Sequence, residues 1–495
     1  MSAAAEQATT DSETLELLLP QVAKFLHRHV DGVAIDREGC ISESVRRAAA
    51  EVGLFGLTIP AEEGGFGLAL SAACRVVTEI ARVDRSVAIM IGLHAGLGTR
   101  GLVEHGEAAL RRKWLPELAS GACIASFATT EASAGSDLTA ISTRGERVGD
   151  GLRVDGEKSY VTNGGFAGLF TSLIKTPGLG GHRAFSLVSI PRDTPGVSIG
   201  HEEDKLGIRG SSTVTVTFDG VVIPWSHILG EPGNGTVLTH GLLAWGRTLM
   251  SSGCVGTARA AVDVTLDHVR ARRQFGRPIS SFGATRAHVS WMAARAHAMN
   301  VYVQSVGDEH ARGESIDISS AIAKVFTSDS AFEICDRALQ LHGALGYLET
   351  TGVARMLRDC RITRIFEGAN DVLLVRIGAE RVTSRARFVR HPSAQKDIGG
   401  AIDDLDERLD SALVDVRQRL GLGAIKKQLL LQRIASAEMA VRVARAVVAR
   451  APEHPLSHYA VDSLMEDGER ALDQLARSER DEQAADAVTS ILIGE

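Results

Sequence analysis

The run Ala122-Cys-Ile-Ala-Ser-Phe-Ala-Thr-Thr-Glu-Ala-Ser-Ala-Gly-Ser-Asp137 marks the place where the chain changes texture. Before it, from about residue 12 to 121, the pattern is helical. Leu18, Val22, Leu26 and Val30 recur at four-residue steps, and Phe25 widens the stripe. Residues 1–12 are small and polar and read as a frayed tail. After it, short alternating or β-branched runs predict strands at 123–129, 152–154, 159–162, 185–190 and 213–218, with Gly149-Asp150-Gly151 as a hairpin turn. Helical periodicity returns over 238–269, 281–312, 316–341 and 371–383, with Gly and Pro breaks between, which predicts a bundle. The expected architecture is α+β and mostly helical. It has a helical N-terminal domain (1–121), a central β-barrel or sandwich (122–230), a four-helix bundle (231–384), a linker (385–400) and an additional helical domain (401–495).

Composition narrows the function classes. With 44% hydrophobic and 23% charged residues, the 495-residue chain can bury a sizeable core. The absence of a long uninterrupted apolar run argues against a polytopic membrane protein. The 54 basic residues are outnumbered by 61 acidic ones, which argues against nucleic acid as a partner. Six cysteines stand far apart with no CxxC or Cys/His cluster, so neither a disulfide framework nor a metal site is expected. The N-terminal stretch has no basic region before an apolar one, and the expected compartment is the cytoplasm.

Four clusters carry chemistry. In Ser126-Phe-Ala-Thr-Thr-Glu-Ala-Ser-Ala-Gly-Ser-Asp137, small residues free backbone amides beside the Thr129, Thr130 and Ser136 hydroxyls, a set that can cradle a polar ligand. In Gly156-Glu-Lys-Ser-Tyr-Val-Thr-Asn-Gly-Gly165, Tyr160 and Thr162 are two apart and share one face of a strand. In Arg272-Arg-Gln-Phe-Gly-Arg-Pro-Ile279 a helix breaks among arginines, whose guanidinium groups suit a pyrophosphate. The fourth spans Gln340-Leu-His-Gly-Ala-Leu-Gly-Tyr347 and Arg361-Ile-Thr-Arg-Ile-Phe-Glu-Gly-Ala-Asn-Asp371. There Glu367 follows an apolar pair, and desolvation would raise its pKa to that of a useful base. Each cluster alone also fits a surface turn, a core aromatic or a salt-bridge partner.

Taken in order, these segments resemble the acyl-CoA dehydrogenase family. Ile59-Pro-Ala-Glu-Glu-Gly-Gly-Phe-Gly-Leu68, Lys113-Trp-Leu-Pro-Glu-Leu-Ala-Ser-Gly121, Asp204-Lys-Leu-Gly-Ile-Arg-Gly-Ser-Ser-Thr213 and Phe218-Asp-Gly-Val-Val-Ile-Pro-Trp-Ser-His-Ile-Leu-Gly230 fit it too. The resemblance covers about residues 15–380, and the Phe-Glu-Gly-x-Asn-Asp form and the extension after 385 point to the very-long-chain branch. It implies FAD as cofactor, held by 127–136 (Phe127, Thr129, Thr130, Gly135, Ser136), by Tyr160 and Thr162, and by Ala369 and Asp371. Arg272, Gln274, Phe275, Phe282, Gln340, Gly343 and Ala344 match positions that reach the FAD of a neighbouring subunit. Ser136, Arg247 and Gly368 match substrate-contacting positions, and Glu367 the catalytic base. The implied reaction is α,β-dehydrogenation of an acyl thioester to the trans-2-enoyl thioester. Glu367 takes the α-proton, flavin N5 accepts the hydride, and the backbone N–H of Glu367 helps hold the carbonyl oxygen. Tyr160 stands where many members carry Trp, Ala132 where Pro is usual, and Ala369 where Thr is usual. Alternatives on the same scaffold are an acyl-carrier-protein-linked dehydrogenase and an acyl-CoA oxidase.

The tail from 401 has apolar residues at helical spacing, among them Leu413, Val416, Leu420, Leu429, Leu430, Ile434, Met439, Val443 and Val447, which predicts helices buried against others. In the resembling branch such an extension accompanies a homodimer, with an electron-transfer flavoprotein as electron acceptor. Lys426-Lys427-Gln-Leu-Leu-Leu-Gln-Arg433 is basic and amphipathic, which raises peripheral membrane contact as a further expectation.

Overall fold

The computed structural model describes residues 3–179, 184–384 and 396–493. Seven helices come first: α1 (Ala3–His29), α2 (Gly32–Glu38), α3 (Glu43–Glu51), α4 (Leu70–Val83), α5 (Arg85–Leu93), α6 (Thr99–His105) and α7 (Ala108–Ser120). The expected frayed tail is instead the start of α1. Asp11 is buried, where it accepts hydrogen bonds from Gln7 Nε2 at 2.8 Å and the Ala69 N–H at 3.3 Å, so polar residues dock this turn beside α4. Asp84 ends α4 and caps α5: its carboxylate accepts the Val87 N–H at 2.9 Å and pairs with Arg355 at 2.8 Å. Between α5 and α6 the chain makes one π turn, His94–Gly98. Burial pushes the His94 pKa down to about 4, and the neutral ring accepts the Ala125 N–H on Nδ1 at 2.9 Å, tying this turn to the first strand.

The sheet comprises β1 (Ala125–Ala128), β2 (Arg144–Val148), β3 (Gly151–Thr162), β4 (Leu169–Lys175), β5 (Phe185–Pro191), β6 (Val197–Ile199), β7 (Thr213–Pro224) and β8 (Ile228–Leu229). Its order is β6-β7-β3-β2-β4-β5-β8, with β1 parallel beside β4. The two short runs predicted at 152–154 and 159–162 are one strand, β3, whose register against β7 slips twice. Sequence reading missed β2, a charged and mostly exposed strand held by its hairpin to β3, and β4, a short buried run with no alternation.

Six more helices follow: α8 (Gly235–Ala271), α9 (Gly283–Ala311), α10 (Asp317–His342), α11 (Ala344–Tyr347), α12 (Val353–Arg361) and α13 (Asn370–Thr383). The long ones, α8, α9, α10 and α13, form the bundle, and α4 packs on α8. Small residues on α8 let backbones touch. A Cβ at Gly256 would lie 2.2 Å from the Thr78 carbonyl oxygen of α4.

Of the expected linker, 385–395 lies outside the described residues, and 396–400 already belong to α14 (Lys396–Leu420). With α15 (Gln428–Arg450), α16 (Ser457–Leu475) and α17 (Ser478–Ile493) it packs over α13 and α9. Arg381 of α13 is buried against Glu438 at 2.8 Å and Asp410 at 2.5 Å, and Arg417 donates to the carbonyls that end α13. The stretch 426–433 turns its apolar side inward: Leu430 and Leu431 are buried in the core, Lys427 pairs with Glu482, and Arg433 with Asp481. Leu430 and Leu431 are therefore packed against the chain's own helices, while Leu422 and Ile425 just before the stretch are exposed.

Candidate active site

A cavity of about 430 Å³ lies where α4, α5, the π turn, the sheet, α8 and the 366–376 segment converge. Glu367 lines it. This residue adopts φ 58° and Gly368 φ 97°, an unfavourable left-handed conformation for a glutamate. Two buried cations hold the turn. Arg247 of α8 donates from Nε to the Glu367 carbonyl at 3.0 Å. Lys324 of α10 donates to the Gly368 carbonyl and to Asn370 Oδ1, both at 2.7 Å. Asn370 is fixed in turn by donating to Ser328 at 3.0 Å and Asp329 at 2.9 Å.

The carboxyl itself is left uncommitted. Among the described residues Oε2 of Glu367 is buried without a hydrogen-bond partner, and burial pushes the carboxyl pKa up to about 7 against the downward pull of Arg247 and Lys324. Burial also brings Lys324 down to about 8. The Glu367 N–H makes no hydrogen bond among the described residues, so it can donate to an oxygen placed beside it. Behind Arg247, Asp317 lies 3.9 Å from its Nη1 and also pairs with Arg376.

The opposite wall comes from the sheet and the loop after β1. Phe127, Thr129, Thr130, Gly135, Ser136, Tyr160 and Thr162 all line the cavity. Tyr160 and Thr162 do share a side, though a regular strand does not put them there. Tyr160 sits at φ 57° beside the second register slip of β3, and the residue is 64% exposed. Beneath this wall a buried ion pair, Lys158 with Glu131 at 2.9 Å, ties the loop to β3. Val77, Ala88, Ile89, Leu93, Leu249 and Met250 give the cavity an apolar section, and Arg85, His240 and Arg376 also line it.

Ser136, Arg247 and Gly368 also border the cavity. Other predicted residues do not. Ala369 is the N-cap of α13, and Asp371 is exposed in its first turn. Arg272, Gln274 and Phe275 are exposed at the far end of α8, where Phe275, at φ 51° and 91% exposed, meets Phe282 edge to face. Gln340, Gly343 and Ala344 are exposed at the end of α10, and the His268–His342 ring stack at 4.2 Å joins the two groups in one patch. Sequence reading missed Arg85, His240, Lys324 and Arg376. A lone Lys in the apolar run of α10 and an Arg opening the apolar run of α5 were the available signals.

Residues 12–122, 126–221 and 233–383 match the family described as acyl-CoA dehydrogenase, in its N-terminal, middle and C-terminal domains respectively. The chain belongs to the acyl-CoA dehydrogenase family, a family of FAD-dependent oxidoreductases. It is 33% identical over 423 residues to the human mitochondrial very long-chain specific acyl-CoA dehydrogenase, spanning 83% of this chain and 64% of that one. It is 35% identical over 339 residues to a probable acyl-CoA dehydrogenase of Mycobacterium leprae, covering 68% of this chain and 87% of the relative. Among solved structures, butyryl-CoA dehydrogenase of Megasphaera elsdenii superposes with TM-score 0.72 at 28% identity, over 75% of this chain and 98% of that one. A Bacillus anthracis acyl-CoA dehydrogenase complexed with FAD shares the fold at TM-score 0.78 and 24% identity, over 95% of this chain and 87% of that one.

Proposed function

We propose that this chain dehydrogenates acyl-CoA thioesters between Cα and Cβ, with Glu367 as the base that removes the α-proton. The observation that carries this reading is the state of Glu367: a buried carboxyl without a partner, raised to about 7, on a turn fixed through its carbonyls. A base of that pKa is half ionised near neutrality and takes a proton without first breaking a hydrogen bond.

The donor set opposite fits FAD. Among the described residues the side-chain hydroxyls of Thr129, Thr130, Ser136 and Thr162 make no hydrogen bond to protein, a Cβ at Gly135 would meet nothing within 4 Å, and the Tyr160 ring is uncovered. These residues, with Phe127, would hold the flavin. When bound, FAD supplies the two-electron acceptor for the β-hydrogen. The protein's own part is positioning and charge: the Glu367 N–H donates to the thioester carbonyl oxygen as negative charge builds there, and Arg247 keeps that backbone in place. The apolar walls from α4, α5 and α8 exclude water and take the acyl chain. In the same reading the exposed patch with Phe275 and Gln340 meets the FAD of a second subunit in a homodimer, and an electron-transfer flavoprotein receives the electrons.

Anaerobic titration of the FAD-loaded protein with straight-chain acyl-CoAs, followed by flavin absorbance, tests the proposal. The wild type should bleach and Glu367→Gln should bleach at least about 100-fold more slowly with FAD still bound. Equal rates would refute the assignment of the base.

A further inference from the structure

Two cations in the cavity wall have no part in the proposed chemistry, and while Arg376 pairs with Asp317, Arg85 has no carboxylate partner among the described residues. Arg85 opens α5 and lines the same cavity as Glu367, yet it is only 4% exposed. Ala88, Ile89 and Gly92 continue its face of the helix into the apolar part of the cavity. A guanidinium has five N–H donors. In Arg85 both hydrogen bonds come from Nη2, one to the Met250 carbonyl at 3.3 Å and one to Cys254 Sγ, a weak acceptor, at 3.4 Å. Its Nε is buried with no partner among the described residues. Among the described residues no carboxylate pairs with it. Asp84, its neighbour in sequence, is committed to Arg355 and the Val87 N–H.

An uncompensated buried guanidinium is costly, and the surroundings show that it is accommodated by design of the packing. A Cβ at Gly253 would lie 2.0 Å from Arg85 Nη1, so α8 carries a glycine where the guanidinium passes. Position matters as well. Gly253 lies about 9 Å beyond Arg247 along α8 at 1.5 Å per residue, and Arg247 holds the Glu367 carbonyl. An acyl chain with its thioester at Glu367 and its tail running along α8 brings its distal atoms to this guanidinium. A methyl-ended tail would leave the charge and its free donors facing hydrocarbon. A carboxylate would satisfy both.

We propose that the substrates of this chain are CoA monothioesters of dicarboxylic acids, and that Arg85 binds their terminal carboxylate. This rests on the acyl-thioester reading of the cavity but is separable from it. The test uses the FAD-loaded full chain carrying Glu367→Gln, in which binding is measured without turnover. Calorimetric Kd values are compared for adipyl-, suberyl- and sebacyl-CoA against hexanoyl-, octanoyl- and decanoyl-CoA. At the best-fitting length the dicarboxylic thioester should bind at least about tenfold more tightly than its methyl-ended counterpart, the size of a charge-assisted contact. Adding Arg85→Met should erase that ratio without weakening the methyl-ended ligand, and Arg85→Lys should restore part of it. Arg85→Gln serves if the Met variant does not fold. A ratio near one in the Arg85 protein at every length, or a ratio that persists in the Met or Gln variant, overturns the proposal. If the ratio holds but neither series bleaches the flavin of the wild type, the dehydrogenation reading fails and the carboxylate site stands.

Discussion

Replacing Glu367 by Gln should stabilise the fold above neutral pH while abolishing turnover. Burial raises this carboxyl from its ordinary 4.5 to about 7, even with Arg247 and Lys324 drawing it down. In the unfolded chain it titrates near its ordinary value. Between those two values the native state holds a proton that the unfolded state has released, so stability falls as pH rises through the window. Above about pH 7 the folded protein carries the full cost of the buried charge. At 1.36 kcal/mol per pH unit this is about 3 kcal/mol. Glutamine matches the shape of the neutral acid and has no charge to bury. The variant should therefore be nearly equal to wild type below about pH 4.5 and up to about 3 kcal/mol more stable above pH 7. Urea unfolding of the FAD-loaded proteins, followed by tryptophan fluorescence near pH 5 and pH 8.5, measures this. A variant less stable at the higher pH, or an offset equal at both, would refute the picture of a buried, unpartnered carboxyl.

Two further substitutions probe the supports of the site. Lys158→Met leaves Glu131 buried without the ammonium that now donates to it at 2.9 Å and to the Thr129 and Leu173 carbonyls. The urea midpoint should fall by the equivalent of about 3–5 kcal/mol, and a change below about 1 kcal/mol would show that the pair carries no such weight. Gly378→Val places a Cβ where the Leu431 carbonyl oxygen stands 2.1 Å away, so α13 and α15 must separate. Faster deuterium uptake across 428–475, with FAD still bound, is the expected result, and unchanged uptake there would show that the contact gives way locally.

The order of helices, strands and helices was legible because period-four stripes such as Leu18, Val22 and Leu26 and β-branched runs such as 213–218 are local properties of the chain. Strand β2 was not, since Arg144-Gly-Glu-Arg-Val148 is a strand only by pairing with β3. The first turns of α1 were missed for a related reason: their polar residues bond to a segment about sixty positions away, at Ala69. Within the site, the Phe-Glu-Gly turn and the hydroxyl-rich loop stood out as motifs. Sequence alone therefore determined the family, the fold class and the chemistry-bearing segments, because those are written in residue type and local spacing. Tertiary structure alone decided that Tyr160 turns to the cavity from a left-handed bulge, that Lys324 and Arg247 clamp the base from two helices, and that Arg85 lines the cavity with no carboxylate partner among the described residues. The physical reason is that a pKa, a missing counter-charge and a shared cavity are properties of groups brought together from distant positions, and they exist only once the chain has packed.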